Sequence, residues 1–167
     1  IGAKENVCRD DAIFALMSCT YVYSYSALLS FCSAQLYQIW SREGSELRAR
    51  HPNCESFEEL MAGPLKEIKC AIKELALLKG ISPIHKSEPK LWQHLNEFLK
   101  NYRDFFLHPN PELFESFVGK VGNAQWQLPS HTASGILAYI FKEANGSIPH
   151  WVTNSSLKAH GFEITSL

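Results

Sequence analysis

Apolar residues recur at intervals of three and four along five stretches of the chain, and this pattern predicts helices with one buried face each. The first predicted helix covers about residues 10–44. The second covers residues 56–80 and begins at a capping box formed by Ser56 and Glu59. Gly63-Pro64 interrupts the second pattern. Proline removes a helical hydrogen bond, so we expect a kink or a restart there.

Three further helices are predicted in the second half of the chain. The third covers residues 91–108 and ends at His108, because Pro109 disfavours helical geometry in the residue before it. The fourth covers residues 110–122, where asparagine and proline stand at the first two positions, as is common at helix N-termini. The fifth covers residues 130–144.

The connections between these helices are short, and none has the composition of a domain linker. Residues 45–54 and 81–89 are predicted to be loops. Residues 145–167 have no clear pattern; within them, Phe162-Glu163-Ile164-Thr165 is a small strand or an extended tail. We therefore expect one all-α domain over residues 1–167. It is an up-and-down bundle of four to five helices over about residues 10–144, followed by a C-terminal extension.

Composition and charge narrow the classes of protein that fit. The chain has 167 residues, of which 46% are hydrophobic and 12% aromatic, so a packed core is expected and disorder is not. The 16 basic residues nearly balance the 17 acidic ones, which argues against nucleic-acid binding through overall charge but leaves room for a local basic patch. The longest apolar stretch, residues 12–32, holds too many hydroxyl groups for a membrane span.

The five cysteines include no pair with the close spacing of a zinc site. We interpret them as reduced thiols of a cytoplasmic protein, with Cys19 and Cys32 as small core residues. No glycine-rich phosphate loop and no helical metal-binding histidine pair occurs in the sequence. The sequence therefore predicts no metal and no cofactor.

The segment from Arg103 to His108 is the best candidate for chemistry. An arginine grips phosphate through a planar fork of donors, and a histidine moves protons near neutral pH. On a straight helix the two side chains would point roughly 140° apart. Pro109 takes His108 out of the helix, which lets its ring turn back toward Arg103. A metal-free ribonuclease needs such a pair, one group for proton transfer and one for the charge on the phosphorus oxygens.

An arginine, then a polar residue, then a histidine a few positions later is the signature of HEPN domains, and this chain resembles that family at Arg103, Asp104 and His108. The resemblance implies a helical bundle and a metal-independent ribonuclease that acts as a homodimer, as in toxin and defence systems. It implies that Arg103 stabilises the phosphate, that His108 transfers protons and that Asp104 orients one of them. The implied partners are RNA and an antitoxin or another protein.

Each motif residue also has a purely structural interpretation. His108 can cap the C-terminus of its helix, and Arg103 can form a surface ion pair with Asp104 or Glu97. Many catalytic family members have asparagine where this chain has Asp104, which could neutralise Arg103. The second hypothesis is therefore a non-catalytic helical module for dimerisation or for binding a nucleotide or a partner protein. Its interface would use apolar residues of the first helix.

Two further groups of residues have both a functional and a structural interpretation. The basic side chains within residues 42–51 can contact RNA phosphate or form an ordinary solvated loop. Tyr37, Trp126 and Trp151 can stack on bases, although core packing is the expected role of at least two of them.

Overall fold

The computed structural model describes residues 2–108, 128–149 and 152, and every regular element in these ranges is helical. The all-α prediction is confirmed for this part of the chain. The predicted fourth helix and most of the C-terminal extension lie outside the described residues. The helices are α1 (Gly2–Trp40), α2 (Glu46–Arg50), α3 (Phe57–Ala62), α4 (Ile68–Leu78), α5 (Ile84–Ser87), α6 (Pro89–His94), a π-helical segment (Leu95–Lys100), α7 (Asn101–Leu107) and α8 (Leu128–Asn145).

Helix α1 is the element against which much of the described chain packs. It contacts α2, α3, α4, α7, α8 and the π segment. Its buried face follows the predicted intervals of three and four residues and consists of Tyr21, Tyr25, Leu28, Cys32, Leu36 and Trp40. Cys19, predicted to be a core residue, is exposed, because it lies off this face. Among the described residues, no helix has the length and apolarity needed to cross a membrane.

The predicted second helix is two helices. Ser56 Oγ accepts a hydrogen bond from the Glu59 amide at 3.1 Å, which confirms the predicted cap at the start of α3. The Glu59 carboxylate turns back to accept from the Glu55 amide at 2.8 Å, one residue earlier than a capping box requires. Helix α3 ends at Ala62, and the chain restarts as α4 at Ile68. Of the two expected outcomes at the proline, the restart is the one observed.

The two predicted loops each contain a short helix, so those predictions were wrong. Helix α2 is capped by the Ser45 hydroxyl, which accepts from the Arg48 amide at 3.4 Å, and α5 lies within residues 81–89. Each helix buries one apolar side chain, Leu47 in α2 and Ile84 in α5. A single buried residue creates no periodic pattern, which is why neither helix was predicted.

The predicted third helix is present but is not uniformly α-helical. Its middle, Leu95–Lys100, is π-helical and is followed directly by α7. A π turn holds an extra residue and therefore shifts the buried face, so that Phe105 is buried and the next residue, Phe106, is only half-buried. Single π turns within helices occur frequently at functional sites. Here the π turn directly precedes the segment that contains Arg103.

Tyr21 lies in the core with its ring edge against Tyr102, the two ring centroids being 5.0 Å apart. Its hydroxyl is shielded from solvent and has no hydrogen-bond partner among the described residues. A buried polar group without a partner destabilises the folded state. Burial, and to a smaller extent Tyr102, raises the pKa of Tyr21 well above its usual value.

Tyr21→Phe is therefore expected to increase the free energy of unfolding by about 1 kcal/mol near neutral pH. The pKa of Tyr21 is raised in the folded state only, so ionisation of this tyrosine favours unfolding. The free energy of unfolding of the native protein is therefore constant in this respect below about pH 10 and falls as the pH rises further. The variant should lose less stability in alkali. Urea unfolding at about pH 7 and about pH 11 measures both effects. A variant less stable than the native protein at neutral pH would contradict the expected gain.

Candidate active site

Arg103 is held against α1 by the packing of α7. The ring of Tyr21 in α1 packs against the rings of Tyr102 and Phe106 in α7, and its centroid lies 5.8 Å from that of Phe106. One turn further along α1, the guanidinium carbon of Arg103 lies 4.4 Å from the ring centroid of Tyr25. A guanidinium at this distance over an aromatic face is attracted by the negative charge density of the ring. Arg103 therefore has a fixed position, and its side chain is still 29% exposed.

Tyr25 is itself fixed from two sides. Its side chain belongs to the core, with only 4% of the residue exposed. Its hydroxyl accepts a hydrogen bond from the backbone N–H of Ile68, the first residue of α4. Burial raises the pKa of Tyr25, while the charge of Arg103 and the Ile68 hydrogen bond act in the opposite direction. The neutral phenol thus joins α1, α4 and the arginine of α7.

Asp104 forms an ion pair with the neighbouring Arg103. Of the two ion pairs considered from the sequence, the one with Asp104 is therefore present. The Asp104 side chain is 40% exposed, so solvent screens the attraction and its contribution to stability is small. The pair still limits the orientations that the guanidinium can adopt, because two contacts, the Tyr25 ring and the Asp104 carboxylate, now act on it.

His108 is the C-cap residue of α7, as one of the two interpretations of this residue predicted. Its backbone N–H donates to the Asp104 carbonyl at 2.9 Å, and its φ of −135° lies outside the helical region. The side chain is exposed. In the described part of the chain, its imidazole forms no hydrogen bond or ion pair with Arg103 or Asp104. The structure brings Arg103 and Asp104 together and leaves His108 one turn away, open to solvent.

A second group of charges lies next to the site and was not found from the sequence. Glu67, the N-cap residue of α4, lies between Lys69 at 2.9 Å and Lys100 at 3.5 Å. The hydrogen bond from Lys69 and the charge of Lys100 hold the pKa of Glu67 below its usual value. Lys100 precedes Arg103 by about one turn, so the ion pairs of Glu67 lie near the arginine in the fold.

Three residues of the basic cluster at 42–51, Arg48, Arg50 and His51, make contacts within the protein. Glu74 of α4 accepts from Arg50 at 2.7 Å and lies 3.3 Å from the ring of His51. Burial favours the neutral form of Glu74, but the hydrogen bond and charge of Arg50 outweigh it and lower the pKa. Arg48 lies over Trp40, 5.1 Å from its ring. The cluster therefore links α2 to α4 and α1.

The free cysteines of the described residues differ in burial, Cys19 being exposed and Cys32 buried. No group of three or more histidine, cysteine or acidic side chains in the part of the chain that the structure describes is arranged to hold a metal ion. Cys32 is buried, and burial raises the pKa of its thiol to about 12, which makes it unreactive. Cys54 and Cys70 are free and partly buried.

No family model, no curated protein and no solved structure matches this chain. The resemblance to HEPN domains therefore depends on Arg103, Asp104 and His108 themselves. What these residues can do follows from their chemistry and from the contacts described above.

Proposed function

We propose that this chain is a HEPN-like, metal-independent endoribonuclease of a toxin or defence system, that it acts as a homodimer, and that its fold is the corresponding helical bundle. The observation that carries the proposal is the Arg103 guanidinium, fixed 4.4 Å above the buried Tyr25 ring and still accessible. An exposed imidazole, that of His108, follows one turn later on the same helix end. A fixed cation and an accessible proton carrier are the two groups that metal-free RNA cleavage requires.

In the proposed reaction, the 2′-oxygen of the RNA attacks the adjacent phosphorus, and the bond from phosphorus to the 5′-oxygen breaks. His108 takes the proton of the 2′-hydroxyl or gives a proton to the leaving 5′-oxygen. Arg103 stabilises the negative charge that develops on the phosphorus oxygens. Asp104 orients Arg103 through their ion pair.

Dimerisation supplies the second proton carrier. One histidine does not act as base and acid in the same step, whereas a two-fold dimer brings two copies of the motif. The N-terminal half of helix α1 has a suitable surface, because residues 12–27 contain no Asp, Glu, Lys, Arg or His. Leu16 and Tyr23 are exposed on this helix, Tyr23 to 70%. Such uncharged side chains favour contact with another protein surface over contact with water.

A second candidate function is a non-catalytic helical module for dimerisation or for binding a nucleotide or a partner protein. The ion pair between Arg103 and Asp104 favours it, because a paired guanidinium grips phosphate less strongly. The uncharged surface of α1 favours both candidates equally. Cleavage activity therefore distinguishes them, and oligomeric state alone does not.

The test is incubation of the native protein with a labelled single-stranded RNA in EDTA, together with the solution mass from light scattering. The expected result is cleavage that EDTA does not inhibit, by a protein with the mass of a dimer. A dimer that never cleaves RNA would support the non-catalytic module. A protein that cleaves only after divalent metal is added would overturn the proposed mechanism.

A further inference from the structure

An open groove of about 580 Å³ lies between α1, α3 and the turn that precedes α4. Its apolar surface comes from residues such as Leu29 and Phe57, and its polar groups include the hydroxyls of Ser30 and Ser33. Lys66 lies on the lining beside α4. The volume is within the usual range of ligand sites, about 300–1,000 Å³. Neither the motif nor the proposed reaction uses this groove.

Tyr37 gives the groove an aromatic surface that is both accessible and fixed. The residue is 54% exposed, so one part of its side chain is open to solvent. The ring packs edge-on against Phe57 at a centroid distance of 5.2 Å and an angle of 72°. An exposed ring held by a second ring is a platform on which a nucleic-acid base can stack, and stacking tolerates any base.

The charge of the groove suits a polyanion. Among the residues that line it, Lys66 is the cation and none is acidic. In the described part of the chain Lys66 forms no ion pair, whereas Lys69 and Lys100 share the Glu67 carboxylate. A phosphate group near Lys66 would therefore meet a cation that needs no release from a partner.

Arg103 lies outside the groove lining, beyond its Leu29 end toward the N-terminus of α1. Leu29 precedes Tyr37 by two turns and follows Tyr25 by one turn on the same helix. On the α4 side, Lys66 stands two residues before Ile68, whose amide donates to the Tyr25 hydroxyl. The distance from Tyr37 to Tyr25 is about 18 Å along the helix, which is the length of a few nucleotides.

We propose that the groove is the binding track for single-stranded RNA, with a base stacked on Tyr37, a phosphate at Lys66 and the cut phosphate at Arg103. This inference rests on the proposed function and names its substrate class. A duplex does not fit, because its bases are stacked on each other and present no free face to Tyr37. The lone cation of the lining and its lack of acidic side chains favour RNA over a helix of a second protein.

The test measures binding of a labelled short oligouridylate by fluorescence anisotropy, in a His108→Ala background so that the RNA stays intact. Tyr37→Ala is expected to weaken binding about tenfold, since it removes one stacked base. Tyr37→Phe keeps the ring and should keep the affinity. Leu77→Ala is the matched control, because Leu77 is a large exposed apolar side chain of α4 that lies outside the groove lining and outside the proposed dimer surface of α1.

A second measurement tests the phosphate contact. Lys66→Gln should reduce the slope of the logarithm of affinity against the logarithm of salt concentration by about 0.7, the value for one phosphate contact with a single strand. Lys86→Gln, an exposed lysine outside the groove lining, should leave the slope unchanged. Thermal unfolding followed by circular dichroism checks that every variant is folded.

Equal weakening by Tyr37→Ala and Leu77→Ala would overturn the proposal, as would a Tyr37→Ala variant that binds RNA normally. A Tyr37→Ala variant that loses its dimeric mass but retains its RNA affinity would assign the groove to a second copy of the chain instead. These results are separate from the proposed function. If the protein cleaves RNA but Tyr37 is not needed for binding, the ribonuclease proposal is retained and the groove proposal is rejected. If RNA binds in the groove but is not cleaved, the groove proposal is retained and the ribonuclease proposal is rejected.

Discussion

Replacing His108 by alanine is expected to reduce the rate of RNA cleavage by about 100- to 10,000-fold, the range that proton transfer by one positioned side chain contributes. The fold should be unaffected. The His108 side chain is exposed, and its contribution to the C-terminus of α7 is the backbone N–H that donates to Asp104, which alanine also has. The measurement is a single-turnover cleavage rate in EDTA, together with the melting temperature of each protein.

Two further variants separate proton transfer from the structural role of His108. His108→Asn retains a polar side chain at the helix C-cap but does not titrate, so it should be as inactive as His108→Ala. His51→Ala removes a histidine that contacts Glu74 and should leave the cleavage rate unchanged. An active His108→Asn variant would show that cleavage does not require proton transfer by the imidazole. Loss of activity in His51→Ala would move the site to the basic cluster.

The long helices were predictable because each buries a continuous stripe of apolar side chains. The stripe of α1 from Tyr21 to Trp40 appears in the sequence at the spacing at which it is buried. The short helices α2 and α5 were missed because one buried residue makes no pattern. The π segment was missed for a different reason. The extra residue of the π turn is accommodated because α6 and α7 both pack against the rest of the chain. Local sequence preferences do not encode this tertiary packing.

The candidate site was only partly predictable. Arg103 and Asp104 are neighbours in sequence, so their ion pair was among the interpretations considered. The role of Tyr25 could not be predicted from the sequence, because Tyr25 and Arg103 are far apart along the chain. Their contact depends on the packing of α7 against α1. From the sequence, Tyr25 looks like one core residue of a regular stripe. Its second role, as a support for a guanidinium, exists only in the folded protein.

Arg103→Ala is expected to lower the rate of RNA cleavage by about 100- to 1,000-fold, as the loss of one group that stabilises the charge of a transition state does. Arg103→Lys should recover little of this loss. Lysine keeps the positive charge, but it has no planar fork for two phosphate oxygens and no flat group to lie on the Tyr25 ring. Cleavage rates and RNA affinities should be measured together, because a transition-state contact lowers the rate more than the affinity. Equal activity of the lysine variant and the native protein would contradict this role.

The role of Tyr25 decides whether the position of Arg103 matters as well as its charge. Tyr25→Phe keeps the ring below the guanidinium and loses only the hydroxyl that accepts from Ile68, so it should retain most of the activity. Tyr25→Leu removes the ring and frees Arg103, and the rate should fall even where circular dichroism shows that the variant is folded. If Tyr25 acts through Arg103, then Arg103→Lys should cost less in the Tyr25→Leu background than in the native protein. Additive losses would mean that Tyr25 only fills the core, and the proposal would then rest on the charge of Arg103 alone.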